Sequence, residues 1–254
     1  MDHRFFYIDD HNQCRTLCPI VIDAAVKQLR MLGDDYHRVS VGNFLRVVDR
    51  FSTNTSVIGF GVKAAVLGQM SLTGLPLPKL QNALPTEMFS IEIPHFRTDR
   101  NGLTMFTPTQ FNFPFIDAII CDTSITNVTR GPNFGREDNL IYKAALFPVQ
   151  IALTSGKHKN SELEFFKKWE EWTEAFNPTL WEVMVEFVCI GPVVTNTVHV
   201  KANTIFDPDT NTTINHPAFK RRNLQFKNVS RLTDLKLVEA GLRSATVLGP
   251  GSPV

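Results

Sequence analysis

Hydrophobic and polar positions alternate between two periods along this chain. An apolar run at Phe5–Ile8 reads as a strand and is followed by a turn at 9–13. Over Pro19–Leu32, Ile22, Ala25, Val26, Leu29 and Leu32 recur at helical spacing, and Gly33-Asp34-Asp35 closes the segment. A second helix is expected over Val41–Phe51. A third, Val57–Leu72, is apolar nearly all round and predicts burial on most sides, with Ser56 as a candidate cap. Gly74-Leu-Pro-Leu-Pro breaks the chain, and three strand candidates follow: Phe89–Phe96, Phe113–Cys121 and Ala145–Thr154. The polar, Gly-rich stretch Asp122–Lys143 reads as a long loop. Ser161 opens a helix with Glu164 completing a capping box. Phe165, Trp169, Trp172 and Phe176 share one face, Lys167, Lys168, Glu170 and Glu171 turn outward, and Pro178 stops it. Trp181–Ile190 alternates as a strand, Val193–Val200 is a further strand candidate, and a polar tail follows.

The order from residue 57 onward is helix, three strands, helix, strand. It predicts an α/β (mixed α+β) fold with a mixed sheet flanked by helices. The expected organisation is a helical or linker segment over 1–55, a core over 56–200, and a polar and basic extension over 201–254.

Composition narrows the function classes. Hydrophobic residues make up 43% and charged residues 20%, a globular balance, and the 20 Phe argue for a packed interior. A net charge of +1 supplies no global field for a polyanion, so any nucleic-acid contact must be local. The four cysteines form no CxxC pair and are expected to be reduced thiols, which suits an intracellular compartment. His11, Cys14 and Cys18 sketch a partial metal site, with buried thiols as the alternative. No apolar run is long enough for a membrane span, and the charged N-terminus lacks a signal-peptide pattern. The Asn-x-Ser/Thr sequons at Asn54, Asn127, Asn211 and Asn228 are read as chance matches.

Two places carry candidate chemistry. Asp117 is the single charge in the apolar stretch Phe113–Ile120, and Gln150 is polar within the apolar stretch after Phe147. On neighbouring strands, their oxygens would make two ligands for Mg²⁺, which keeps several waters. An Asp at a strand end, hydrogen-bonded or half exposed, is the structural alternative. Lys157, His158 and Lys159 follow as a basic loop suited to phosphate, or as a solvated turn. Further on, Lys220, Arg221, Arg222, Lys227 and Arg231 fall within twelve residues that hold no acid. Leu224, Phe226 and Val229 interleave them. That segment reads as a partner helix, a nuclear-import signal, a phosphate-binding face or a solvated surface.

The runs Phe113-Pro-Phe-Ile-Asp117-Ala-Ile and Pro148-Val-Gln150-Ile-Ala-Leu-Thr-Ser-Gly-Lys-His158 resemble the PD-(D/E)xK nuclease-like domain of Crinkler effectors and retrotransposon hot-spot proteins. The opening Asp2–Asp10 is similar to the stretch that joins their upstream ATPase to this domain. The resemblance implies a restriction-endonuclease-like core and a Mg²⁺ site at Asp117 and Gln150. It also implies phosphodiester hydrolysis aided by Lys157 or His158, DNA more than RNA as partner, and a P-loop ATPase. No GxxxxGK[ST] occurs here, so such an ATPase would act in trans. The chain departs from the family pattern twice. Lys63 stands where an early-helix Glu is usual, and Ala152 where Lys or Thr is usual. A methyl group stabilises no charge on phosphate, and losing one such group costs about 10²–10³ in rate. Three expectations follow: a nucleic-acid-binding effector-type domain with a degenerate metal site, an active Mg²⁺-dependent nuclease, or a protein-interaction domain without nucleic-acid binding.

Overall fold

A computed structural model describes residues 6–8, 14–16, 55–89, 93–99, 101–108, 116–123, 142–152, 161–191, 198–200 and 203–229. The expected helices at 19–32 and 41–51, and most of the 122–143 loop, lie outside the described residues. The chain divides into two compact units: one of 1–83, 109–112 and 226–254, the other of 84–108 and 113–225.

In the first unit β1 (Phe6–Ile8) pairs antiparallel with β2 (Cys14–Thr16). Helix α1 (Thr55–Thr73) follows the apolar stretch expected to form it, with Val62, Val66, Leu67 and Met70 buried. It ends at Gly74, whose φ of +71° lets its N–H reach back to the Met70 carbonyl at 2.8 Å. A Cβ at Gly74 would lie 2.1 Å from the Leu80 carbonyl oxygen, so only glycine fits the turn.

The second unit is a sheet of seven strands among the described residues. Strands β4 (Leu103–Pro108), β5 (Ala118–Asp122) and β6 (Tyr142–Ile151) form an antiparallel meander. Helices α2 (Ser161–Lys167) and α3 (Trp169–Thr173) then lead to β7 (Trp181–Gly191), which runs parallel to β6. A short β3 (Thr86–Phe89) lies parallel to β4 at one edge. At the other edge β11 (Phe219–Gln225) is parallel to β7, and β8 (Val198–Val200) is antiparallel to β11. A separate hairpin of β9 (Thr204–Asp207) and β10 (Thr212–Asn215) lies between β8 and β11 in the chain. The fold class is therefore mixed α/β. No helix among the described residues is long and apolar enough to cross a membrane.

One face of the sheet carries an aromatic cluster. Phe106, Ile119, Cys121, Leu146, Val185, Phe187 and Phe219 from the strands meet Phe165, Phe166, Trp172 and Phe176 from the α2–α3 segment. Phe165 stacks on Trp172 with centroids 5.1 Å apart and meets Phe187 edge-on at 5.3 Å. Eight of the 20 Phe lie in this layer among the described residues.

Several expectations are corrected here. The single helix from Ser161 is two, because Lys168 adopts φ −107° and ψ 24° between them. Of Phe89–Phe96 only Phe89 is in a strand among the described residues; Pro94 offers no N–H to a ladder there. The first strand of the meander is instead Leu103–Pro108. Within the stretch after residue 200, the described residues 203–225 form strands. They supply β9, β10 and β11, and the basic run Lys220–Arg222 is neither helix nor free tail but strand β11 in the main sheet.

Candidate functional site

Strands β5 and β6 are neighbours, as the sequence requires, but the chain arrives at β5 with a slip in alternation. Ile116 is buried in the same cluster as Ile119 and Cys121, a spacing that strict alternation forbids. An extra residue is therefore absorbed around Asp117–Ala118, as in a bulge. Asp117 donates its N–H to the Val149 carbonyl at 2.8 Å, and its Oδ2 accepts the Ile151 N–H at 2.7 Å. The carboxylate stands in for the ladder carbonyl that Ile151 would otherwise face, and so completes the pairing of β6 at its carboxyl end.

Gln150 is 3% exposed, and its Oε1 lies 3.9 Å from the Cys189 thiol on the β7 side. The Asp117 oxygen is thus engaged with β6 itself and the Gln150 oxygen with β7. Ala152, next along, is half-buried and gives its N–H to the Ile190 carbonyl at 2.8 Å. Of the two side chains Asp117 is the one anion, with its Oδ2 accepting a main-chain N–H, and Gln150 is a buried neutral amide. Among the described residues no group of three His, Cys, Asp or Glu side chains could hold a metal ion. Lys63 lies half-buried on α1, in the other compact unit.

The register places Gln150 beside Cys189 and Cys189 beside Asn223, a polar row crossing β6, β7 and β11 near the carboxyl ends of these three parallel strands. Such ends are where open α/β sheets present their binding residues. One step earlier on β11, Arg221 lies beside Phe187 in the register. Its Nε and Nη2 form a two-pronged ion pair with Oε1 and Oε2 of Glu162, in the first turn of α2. Cys189 feels both charges. Burial and the Glu162 carboxylate push its thiol up to about 11, while Arg221 pulls the other way. Arg221 itself is raised further by the Glu162 hydrogen bonds. On β7 and β11 burial of this face falls off toward the row, with Phe187 and Phe219 covered and Arg221, Cys189 and Asn223 partly exposed, while Gln150 on β6 stays buried. The sequence offers no sign of Glu162, Cys189 or Asn223 as members of one site. Only the pairing of β11 with β7, two strands separated by the β9–β10 hairpin, brings them together.

The other basic residues are placed as follows. Arg222 pairs with Glu186 on the opposite face of the sheet, and Lys220 is exposed on that same face. Lys227 falls within α4 (Phe226–Val229), in the first unit. Lys157, His158, Lys159 and Arg231 lie outside the described residues, as do His11 and Cys18, while Cys14 is in β2. Arg221 and Arg222, expected to face phosphate, are thus occupied by intramolecular carboxylates.

No protein-family model, curated protein or solved structure matches this chain.

Proposed function

We propose that the chain is a nucleic-acid-binding domain on a restriction-endonuclease-like core that binds without cutting. Two features support the scaffold. The antiparallel meander β4–β5–β6, followed by helices and by β7 parallel to β6, has the succession that the nuclease resemblance implies. The sequence leaving the carboxyl end of β6 is also basic, with Lys157, His158 and Lys159 before α2 begins. The non-catalytic half rests on one observation, the Asp117 carboxylate accepting the Ile151 N–H at 2.7 Å. A carboxylate that completes a strand has a structural task to perform in place of a metal. With Ala152 beside it there is no side chain to replace the usual cation near the phosphate.

The test has two arms. Supercoiled plasmid and single-stranded oligonucleotides are incubated with the chain and Mg²⁺ or Mn²⁺, with Asp117→Ala in parallel. The expected result is no cleavage above the variant's background; metal-dependent cleavage lost in Asp117→Ala would overturn the non-catalytic reading. Fluorescence anisotropy with a labelled oligonucleotide over a salt series is expected to show binding that weakens as salt rises. Absence of binding at low salt would remove the nucleic-acid reading.

A further inference from the structure

We propose that the Glu162–Arg221 ion pair is an exchangeable latch, in which a nucleic-acid phosphate displaces Glu162 and takes over the Arg221 guanidinium. This rests on the nucleic-acid reading above, and it names the residue that does the binding and the contact that restrains it.

The placement comes first. Arg221 lies one step before the Gln150–Cys189–Asn223 row, and its carboxylate partner comes from α2, whose Phe165 and Phe166 cover the same face. The pair therefore stands where the aromatic cover ends. Its members are unequally exposed: the Arg221 side chain keeps 36% of its surface open, against 13% for Glu162. A ligand arriving from solvent meets the cation before the carboxylate.

The chemistry of exchange follows from the fork. Arg221 presents Nε and Nη2 side by side to two carboxylate oxygens. Two phosphate oxygens offer the same spacing and a comparable charge, so one anion can replace the other with both N–H groups still satisfied. Glu162 disfavours the exchange, because its released carboxylate would lie near a neutral thiol, Cys189, instead of a cation. An anion with further contacts of its own is needed to offset that loss. A phosphodiester chain brings several phosphates, whereas inorganic phosphate brings one.

The fold supplies a matched control. Arg222, the next residue of β11, pairs with Glu186, and alternation turns this pair to the opposite face. Glu162→Gln and Glu186→Gln each remove one negative charge, but only the first loosens the latch. Anisotropy is measured with a labelled single-stranded oligonucleotide over a salt series, on wild type, both single variants, Arg221→Ala, and Glu162→Gln combined with Arg221→Ala. Circular dichroism checks each fold. Glu162→Gln is expected to tighten binding by about tenfold over Glu186→Gln, the scale of one hydrogen-bonded charge contact. It is also expected to steepen the slope of log K against log salt by about 0.7, as one more phosphate is neutralised on a single strand. Arg221→Ala is expected to erase both gains. Glu162→Asp, which only shortens the arm, substitutes if Glu162→Gln does not fold and is expected to move affinity the same way. Equal effects of the two Gln variants, or a gain that survives Arg221→Ala, would overturn the latch while leaving nucleic-acid binding intact. If no variant binds at low salt, the latch and the nucleic-acid reading both fall.

Discussion

Replacing Asp117 by Ala separates a structural carboxylate from a catalytic one. The Ile151 amide is buried, with Ile151 1% exposed, and it donates to Asp117 Oδ2 at 2.7 Å. Removing the acceptor loses a hydrogen bond to a charged group, about 1.5–3 kcal/mol, and leaves a buried amide without its carboxylate. Asp117→Ala is therefore expected to lower stability by about 2–3 kcal/mol. For a chain of this size that corresponds to a Tm lower by roughly 4–10 °C. Asp117→Asn keeps a neutral acceptor of the same shape, and about half the loss is expected. Urea unfolding followed by circular dichroism measures both, with an unchanged denaturant slope showing that the same structure is being lost. A carboxylate held in place for chemistry behaves in the opposite way, since groups kept for function commonly cost stability and their removal raises it. An Asp117→Ala variant as stable as wild type, or more stable, would refute the assignment of this side chain to the Ile151 amide. It would return Asp117 to the list of groups reserved for a metal.

The remaining predictions concern other points of the fold. Burial pushes the Cys121 thiol up to about 12 and Cys189 up to about 11, so peptide-resolved iodoacetamide labelling at pH 9 should find Cys189 reacting about tenfold faster than Cys121. Equal rates would contradict the burial of Cys121. Asp207 accepts hydrogen bonds from Thr210 and the Asp209 N–H and pairs with Lys167 at 3.1 Å, which lowers its carboxyl below the ordinary range. Its contribution is therefore present above the ordinary carboxylate pKa and lost as pH falls through the lowered folded value; Asp207→Asn should flatten that acid limb of a stability–pH profile. Gly74→Ala, which would force a Cβ within 2.1 Å of a main-chain oxygen at φ +71°, is expected to cost about 3 kcal/mol or more in thermal or chemical unfolding.

What could be read from the sequence was what depends on local pattern. Helix α1 is apolar over most of its length, and β7 alternates at its start, so both appeared within a few residues of their observed limits. Strand β4 did not, because Leu-Thr-Met-Phe-Thr-Pro is short and shows neither period clearly. The neighbouring positions of the Asp117 and Gln150 strands were legible, but the slip at Asp117 was not. One residue absorbed in a bulge leaves no mark on composition, yet it decides whether a carboxylate joins a row of side chains or serves the main chain. Pro148 shows the same limit. The pairing between β6 and β7 skips Phe147 and Pro148 and resumes in unchanged register at Val149, consistent with a proline that has no N–H to give.

The basic run was the most misleading feature, and the reason bears on function. Seen along the chain, Lys220-Arg-Arg has no acid near it and resembles a free electrostatic surface. In the fold its acids come from far away: Glu162 lies 59 residues from Arg221 and Glu186 lies 36 from Arg222. Lys143 and Lys167 are likewise matched, by Glu182 and by Glu164 with Asp207. With a net charge of +1 and so many cations already answered, the chain has no strong field to steer a polyanion from a distance. Binding on this surface would have to proceed by exchange, each phosphate replacing a carboxylate that already satisfies an arginine. Exchange gains less than capture by a free cation, because the broken pair is subtracted from the new one. It also confines binding to places where the cation is the more open partner; both arginine pairs on β11 meet that condition, and of the two only Arg221 stands beside the polar row.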